Sequence, residues 1–126
     1  MNERKNLIKD RSFQFAIRVT SLYRTLIEAR KEYVLSKQLL RSGTSVGANV
    51  REAQNAESQA DFIHKLAIAQ KECDETIYWL ELLAATNFIS KTEFDTISSE
   101  ASILLKMIKS AILTTKQKSK NITHNS

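Results

Sequence analysis

The chain has 126 residues, of which 42% are hydrophobic and 26% charged, and its formal net charge is +5. This size and composition predict one soluble globular domain. The sequence contains no proline, two glycines and one cysteine. The scarcity of turn residues argues against a β fold, and the single cysteine excludes an internal disulfide and a cysteine-rich zinc site.

Targeting signals are not visible in the sequence. No apolar run reaches the roughly 18 residues of a membrane span. The first ten residues carry charges, but no uninterrupted apolar core follows them as it would in a signal peptide. We therefore predict a cytoplasmic chain that does not associate with a membrane.

The charge is unevenly distributed along the chain. Residues 1–31 have a net charge of +5, residues 32–51 of +2, residues 52–100 of −7 and residues 101–126 of +5. Three interpretations are open: basic helices packed beside an acidic helix, complementary faces of two subunits, or a surface that binds a polyanion. The charge distribution alone does not choose one of the three interpretations, but the first two together are favoured over polyanion binding.

The first predicted helix covers residues 12–31. Its apolar residues recur every three or four positions, which is the spacing of one helix face. The members of this face are Phe15, Val19, Leu22, Leu26, Ala29 and Tyr33. A second apolar row lies beside the first, and such a wide face indicates a helical bundle.

The second predicted helix begins between Arg30 and Ser36. Residues 41–49 include the poor helix formers Ser-Gly-Thr-Ser, so a turn is the alternative here. The apolar face nevertheless keeps its phase through Gly43 and Gly47. We therefore predict a continuous helix through Ser42–Gly47, with a glycine-lined side that another helix can approach closely.

The third predicted helix starts near Ser58, where Ser58 and Asp61 form a capping-box pattern. Its inner face contains Phe62, Leu66, Ala69, Cys73, Ile77 and Leu80. Four more apolar residues lie off this face: Ile68, Tyr78, Trp79 and Leu82. An extra apolar face on a small bundle is typical of a subunit contact, so these four are candidate oligomer-interface residues.

The fourth predicted helix starts at a second capping box, Ser90 with Glu93. Its apolar periodicity continues to Ala111 and is lost after Thr115. We expect residues 1–115 to form a single domain and residues 116–126 a basic, disordered tail. Four helices with short connections predict an all-α, antiparallel up-down-up-down four-helix bundle.

Catalytic and metal sites find little support in the sequence. Asp61-x-x-His64 is the only approximation to the Glu-x-x-His motif of di-metal bundles. Cys73 and His64 are nine residues apart and so lie on opposite faces of one helix, with Cys73 on the core face. No glycine-rich phosphate loop exists. We predict no enzyme activity, no catalytic residue, no metal, no cofactor and no small-molecule substrate.

The basic residues suggest nucleic-acid binding, because arginine can hold two phosphate oxygens at once. The candidates are Arg11, Arg18, Arg24, Lys37, Arg41 and Arg51. The alternative is that arginines beside an apolar face pair with acids on a neighbouring helix. Most aromatic residues fall on or near apolar faces, so exposed aromatics for base stacking are not expected. Binding would then be to the phosphate backbone without sequence recognition.

The second and third helices resemble a known family of bacterial four-helix bundles, the 23S rRNA intervening-sequence (S23-like) proteins. The features that carry the resemblance are Ser36, Leu40-Arg41-Ser42, Ser45, Asn49-Val50-x-Glu52-Ala53, Asp61-Phe62, Lys71-Glu72, Glu75 and Trp79-Leu80, with Phe13-x-Phe15-Ala16 and Leu22-Tyr23 in the first helix. The similarity extends over nearly the whole chain.

The resemblance implies a homopentamer with a central channel, encoded within large-subunit rRNA genes. It also implies a relation to the accessory variability protein of diversity-generating retroelements, which binds nucleic acid through a basic surface. Gly47 departs from the proline or isoleucine often found there, which implies a less kinked second helix. Ser45, Asn49 and Glu52 belong to the pattern shared with the family. For these residues a structural role in capping, helix bridging or a subunit contact is favoured over a catalytic role.

Two functions of different classes follow. The first is a non-enzymatic, oligomeric accessory protein that binds nucleic acid, more readily RNA than DNA, through a basic surface. The second is a protein–protein adaptor that uses the acidic or apolar side of the third helix.

Overall fold

The computed structural model describes residues 2–125, with side chains described for residue 3 and residues 6–120. It contains four helices: α1 (Asn2–Glu28), α2 (Leu35–Gln54), α3 (Gln59–Ala85) and α4 (Lys91–Asn125). Over residues 2–125 there is no strand. Consecutive helices pack against each other, and α4 returns to α1 to close the bundle. The predicted all-α four-helix bundle is confirmed.

The core consists of the apolar faces that helical periodicity predicts. Val19 of α1, Val46 of α2, Cys73 of α3 and Ile108 of α4 are completely buried. Each helix contributes one wide apolar face, so burial in the bundle stabilises helices that would be only marginally stable alone. Among the described side chains, eight large apolar residues are nevertheless exposed on the outside of the bundle: Leu7, Phe13, Ile17, Tyr33, Val34, Tyr78, Ile103 and Leu113.

Helix α2 is continuous through its serine- and glycine-rich centre, as predicted. A Cβ atom added to Gly43 would lie 2.6 Å from Cγ1 of Val19. A Cβ atom on Gly47 would lie 3.3 Å from the carbonyl oxygen of Ser12. The two glycines therefore allow α1 to approach α2 closely, which offsets their low helix propensity.

Helix α1 ends at Glu28, so the expectation that Tyr33 continues its apolar face is wrong. Tyr33 lies in the connection to α2 and is exposed. Lys31 takes a left-handed conformation with a φ of 56°, which ends the helix. The Glu32 carboxylate then accepts the backbone N–H groups at the start of α2, which makes the change of direction favourable.

Helix α4 continues to Asn125, so the expected end of helical structure near Thr115 is wrong. Loss of apolar periodicity means only that this part of the helix has no core to face. Lysine and glutamine have good helix propensity, and no glycine or proline interrupts residues 116–125. The Ser119 hydroxyl also donates a hydrogen bond to the Gln59 side chain at the start of α3.

The predicted capping box at the start of α4 is complete, and at the start of α3 the Ser58 half of the predicted box is present. The Asp61 N–H donates to Oγ of Ser58 at 3.0 Å, and the Glu93 N–H donates to Oγ of Ser90 at 3.1 Å. In the second box Glu93 also accepts the Ser90 N–H at 2.8 Å. Each cap satisfies backbone donors that the first turn of a helix cannot pair internally.

Candidate nucleic-acid interface

The register between α1 and α2 places four cations on one outer surface. Gly43 lies against Val19 and Gly47 against Ser12, so α1 and α2 run in opposite directions in close contact. This register brings Arg51 to the level of Lys9 at one end of the helix pair. At the other end it brings Lys37 to the level of Arg24. Arg24 is eleven residues from Phe13 and Lys37 is eleven residues from Ala48, a spacing of about three helical turns that keeps each cation on the groove side of its helix.

We call this side the α1/α2 surface and define it by Lys9, Phe13, Arg24, Lys37 and Arg51. Arg24, Lys37 and Arg51 are exposed and Lys9 is half-buried. Among the described side chains, none of the four cations has an ion-pair partner. Lys37 and Arg51 are fourteen residues apart on α2, a distance of about 21 Å along the helix. A cationic pair therefore lies at each end of the α1/α2 surface.

A groove of about 410 Å³ opens on this surface between the two helices. Its lining combines small and polar residues with one aromatic ring: Lys9, Ser12, Phe13, Ala16, Thr44, Gly47, Ala48, Arg51 and Glu52. Among the described lining residues Glu52 is the one carboxylate, and Lys65 of α3 donates to it at 3.0 Å. The groove is therefore bordered by free positive charge, while its negative charge is already paired.

Two of the predicted phosphate-binding arginines are held in ion pairs instead. Nε of Arg18 lies 2.8 Å from the Glu100 carboxylate of α4. Arg41 donates to two carboxylates of α3, those of Glu72 and Glu75, and the hydrogen bond to Glu72 is the main reason that its pKa is raised. These pairs match the alternative interpretation, in which an arginine beside an apolar face pairs with an acid on the next helix.

The six predicted cations are thus not brought together on one surface. Arg24, Lys37 and Arg51 share the α1/α2 surface, whereas Arg41 turns to α3. Arg11 is exposed and lies two turns before Arg18, on the side of α1 that faces α4. Lys9 was not among the predicted cations, because its link to Arg51 depends on the register between the two helices.

The shared-pattern residues of α2 make local and interhelical contacts. Oγ of Ser45 donates to the Arg41 carbonyl at 2.7 Å, and Nδ2 of Asn49 donates to the Ser45 carbonyl at 2.9 Å. Glu52 bridges α2 to α3 through Lys65. No acid–base pair capable of catalysis results from these contacts.

The candidate oligomer-interface residues lie on the outer side of α3. Tyr78 is exposed, while Ile68, Trp79 and Leu82 are half-buried. The rings of Tyr78 and Trp79 meet edge to face with centroids 5.0 Å apart. Nε1 of Trp79 donates to the Glu75 carboxylate at 3.1 Å, and Arg41 donates to the same carboxylate, so this side of α3 presents aromatic rings beside a carboxylate that is already paired.

Exposed aromatic rings are present, and the expectation that they would be absent is wrong. Phe13, Tyr33 and Tyr78 are exposed by 53%, 57% and 54%. Phe13 is two residues from the buried Phe15 and therefore points to the opposite side of α1. That spacing was visible in the sequence and could have identified Phe13 as a surface residue.

Cys73 and His64 lie in different environments, with Cys73 buried in the core and His64 at the surface. Burial, followed by the charge of Asp74, raises the pKa of the Cys73 thiol to about 12, so the reactive thiolate is absent at neutral pH. His64 is exposed on α3. Within the described part of the chain no group of His, Cys, Asp and Glu residues could hold a metal ion. Among the described helices, none contains an apolar stretch that could span a lipid bilayer.

Comparison with known proteins identifies the family. The family model for the 23S rRNA-intervening sequence protein matches residues 4–110. The crystal structure of a protein of unknown function from the S23 ribosomal protein family of Bacteroides thetaiotaomicron VPI-5482 is 50% identical, with a TM-score of 0.86. The match covers 86% of this chain and 97% of that one. No curated protein matches the chain. The chain belongs to the 23S rRNA-intervening sequence protein family.

Proposed function

We propose that the protein is a non-enzymatic, cytoplasmic accessory protein that binds RNA through the α1/α2 surface. The observation that carries the proposal is the presence on one face of four cations, Lys9, Arg24, Lys37 and Arg51, that have no ion-pair partner among the described side chains. Side chains free of internal ion pairs can bind phosphate without first breaking a contact within the protein. The family description, which refers to ribosomal RNA, favours RNA over DNA.

Phosphate contacts make binding depend steeply on salt. Each phosphate neutralised by a cation releases counterions. Four contacts therefore give a slope of about −3 when the logarithm of the association constant is plotted against the logarithm of the salt concentration. The experiment is fluorescence anisotropy with a short structured RNA at several salt concentrations. Replacing Lys9, Arg24, Lys37 and Arg51 by glutamine is expected to weaken binding and flatten the slope.

Two control variants have cations elsewhere replaced by glutamine. The first has the exposed residues Lys106 and Lys109 of α4 changed, and the second has Lys116, Lys118 and Lys120 changed. Both are expected to keep most of the affinity. Binding that is lost only in the second control would assign RNA binding to the C-terminal end of α4 and refute the proposed surface.

A second candidate function is that of a protein–protein adaptor. The observation in its favour is the outer side of α3, where the rings of Tyr78 and Trp79 meet edge to face and Trp79 donates to the carboxylate of Glu75. The same side would mediate the homo-oligomer that the sequence predicts. Trp79→Glu adds a charge next to Glu75, so it should lower the mass measured by light scattering. An unchanged mass would remove these residues from any subunit contact.

A further inference from the structure

We propose that the groove on the α1/α2 surface binds an unpaired base of a single-stranded RNA segment, stacked on the ring of Phe13. This inference rests on the proposed function and names the class of RNA that the surface recognises. It also replaces the expectation of purely backbone contact, because an aromatic ring now lies among the cations.

The shape of the groove results from small side chains. Ala16 of α1 and Gly47 and Ala48 of α2 form part of its lining, so no large side chain fills the space beside Phe13. Gly47 is already in close contact with the Ser12 backbone, and a Cβ there would lie 3.3 Å from the Ser12 oxygen. The two helices are therefore held tightly below the groove while the surface above remains open.

Phe13 is suited to stack on a base. It is 53% exposed although it belongs to a helix with a well-formed apolar face on its opposite side. Ile17, one turn further along α1, is 47% exposed and extends the apolar strip. Stacking on an aromatic ring accepts any base and contributes strongly to single-strand binding.

The charges on both sides of Phe13 identify the partner as a polyanion. Lys9 and Arg51 border the groove, and Arg24 and Lys37 lie about 20 Å away along the helices. A chain that crosses the α1/α2 surface can thus place phosphates at both ends and a base in the middle. A duplex keeps its bases stacked internally, whereas a single strand can present an unpaired base to the ring.

The test compares a single-stranded RNA 12-mer with a duplex of the same sequence. Phe13→Leu keeps an apolar side chain but removes the aromatic ring, and Phe13→Trp restores an aromatic ring. We expect Phe13→Leu to bind the single strand about tenfold more weakly with an unchanged salt slope, and Phe13→Trp to bind as the parent does. Duplex binding should be the same for all three. The exposed position of Phe13 leaves folding unaffected, and Tyr33→Leu in the connection between α1 and α2, where Tyr33 is equally exposed, is the matched control.

The possible results separate this inference from the proposed function. An equal loss of single-strand and duplex binding in Phe13→Leu, or no loss at all, would overturn the stacking role. If the variant with four glutamines has a lower RNA affinity and a weaker salt dependence while Phe13→Leu has neither, the surface binds RNA through phosphates alone. If the variant with four glutamines binds as the parent does, the proposed function itself fails. The fluorescence of 2-aminopurine in the single strand should change on binding to the parent and change less on binding to Phe13→Leu.

Discussion

Replacing Glu32 with glutamine should destabilise the protein at neutral pH, because the Glu32 carboxylate caps α2 from outside the helix. It accepts the N–H groups of Leu35 and Ser36 at 2.8 Å each and that of Val34 at 3.1 Å. Val34, at the N-cap position, supplies no side-chain hydrogen bond of its own. Glu32 is only 7% exposed, so water cannot fully replace the carboxylate.

The magnitude follows from the number and type of these bonds. Hydrogen bonds to a charged acceptor contribute about 1.5–3 kcal/mol, against about 0.5–1.5 kcal/mol for a neutral one. Glutamine keeps one acceptor oxygen, turns an NH2 group towards a backbone donor, and loses the favourable charge at the helix N-terminus. We therefore expect Glu32→Gln to lower the free energy of unfolding by about 2 kcal/mol and Tm by about 8 °C.

The effect should depend on pH with a defined sign. Burial by itself raises the pKa of Glu32, but hydrogen bonds from the backbone of Ser36, Leu35 and Val34 outweigh burial and lower that pKa. The pKa of a glutamate in an unfolded chain is about 4.3. The stabilisation is therefore complete above about pH 5 and is lost as the pH falls through the folded pKa.

Thermal unfolding followed by circular dichroism at one protein concentration measures this difference. The difference in Tm between the parent and Glu32→Gln should be constant from about pH 6 to 8 and become smaller below about pH 4. Glu81→Gln, on the exposed side of α3, is the control and should change Tm little. Equal Tm values for parent and Glu32→Gln at pH 7, or a gap that persists at pH 3, would refute the role of the carboxylate charge.

Three further predictions concern backbone and packing. Gly43→Ala should be less stable than Gly47→Ala by about 1–2 kcal/mol in urea unfolding, because the Cβ atom of Ala at position 43 would lie 2.6 Å from the stiff side chain of Val19. Equal stability of the two variants would contradict the close approach of α1 to α2. Cys73 should resist a thiol reagent until guanidinium unfolds the chain, since its pKa is raised to about 12 by burial, and rapid labelling of the native protein would speak against a buried thiol. Lys31→Gly should raise Tm slightly and Lys31→Val should lower it, because a φ of 56° suits glycine and strains a β-branched residue. A shift of Tm in the same direction in both variants would disprove the role of this backbone conformation.

Most of the fold could be predicted because its determinants are local. Apolar spacing identified the core face of each helix, and two serine-based capping boxes located the starts of α3 and α4. The end of α1 could not be located in this way, because the Glu32 cap acts across a left-handed residue and matches no common capping pattern. The end of α4 was missed because apolar periodicity reports burial rather than helical structure.

The candidate site could be predicted only in part. Residue type marked Arg24, Lys37 and Arg51 as candidates, and the same criterion also selected Arg18 and Arg41. Whether an arginine is free depends on which acid the neighbouring helix places beside it, and that depends on the register between helices. Lys9 was missed for the same reason, since its importance comes from its position opposite Arg51.

By itself, the sequence determined that this chain is a four-helix bundle with a continuous second helix. Each helix is specified by its own periodicity, and the glycines of α2 keep the phase of its apolar face. Only the tertiary structure decided which charges are paired, which remain free, and that Phe13 lies among the free cations. Those properties depend on contacts between residues far apart in the chain, and the close approach of α1 to Gly43 and Gly47 sets the register that creates them.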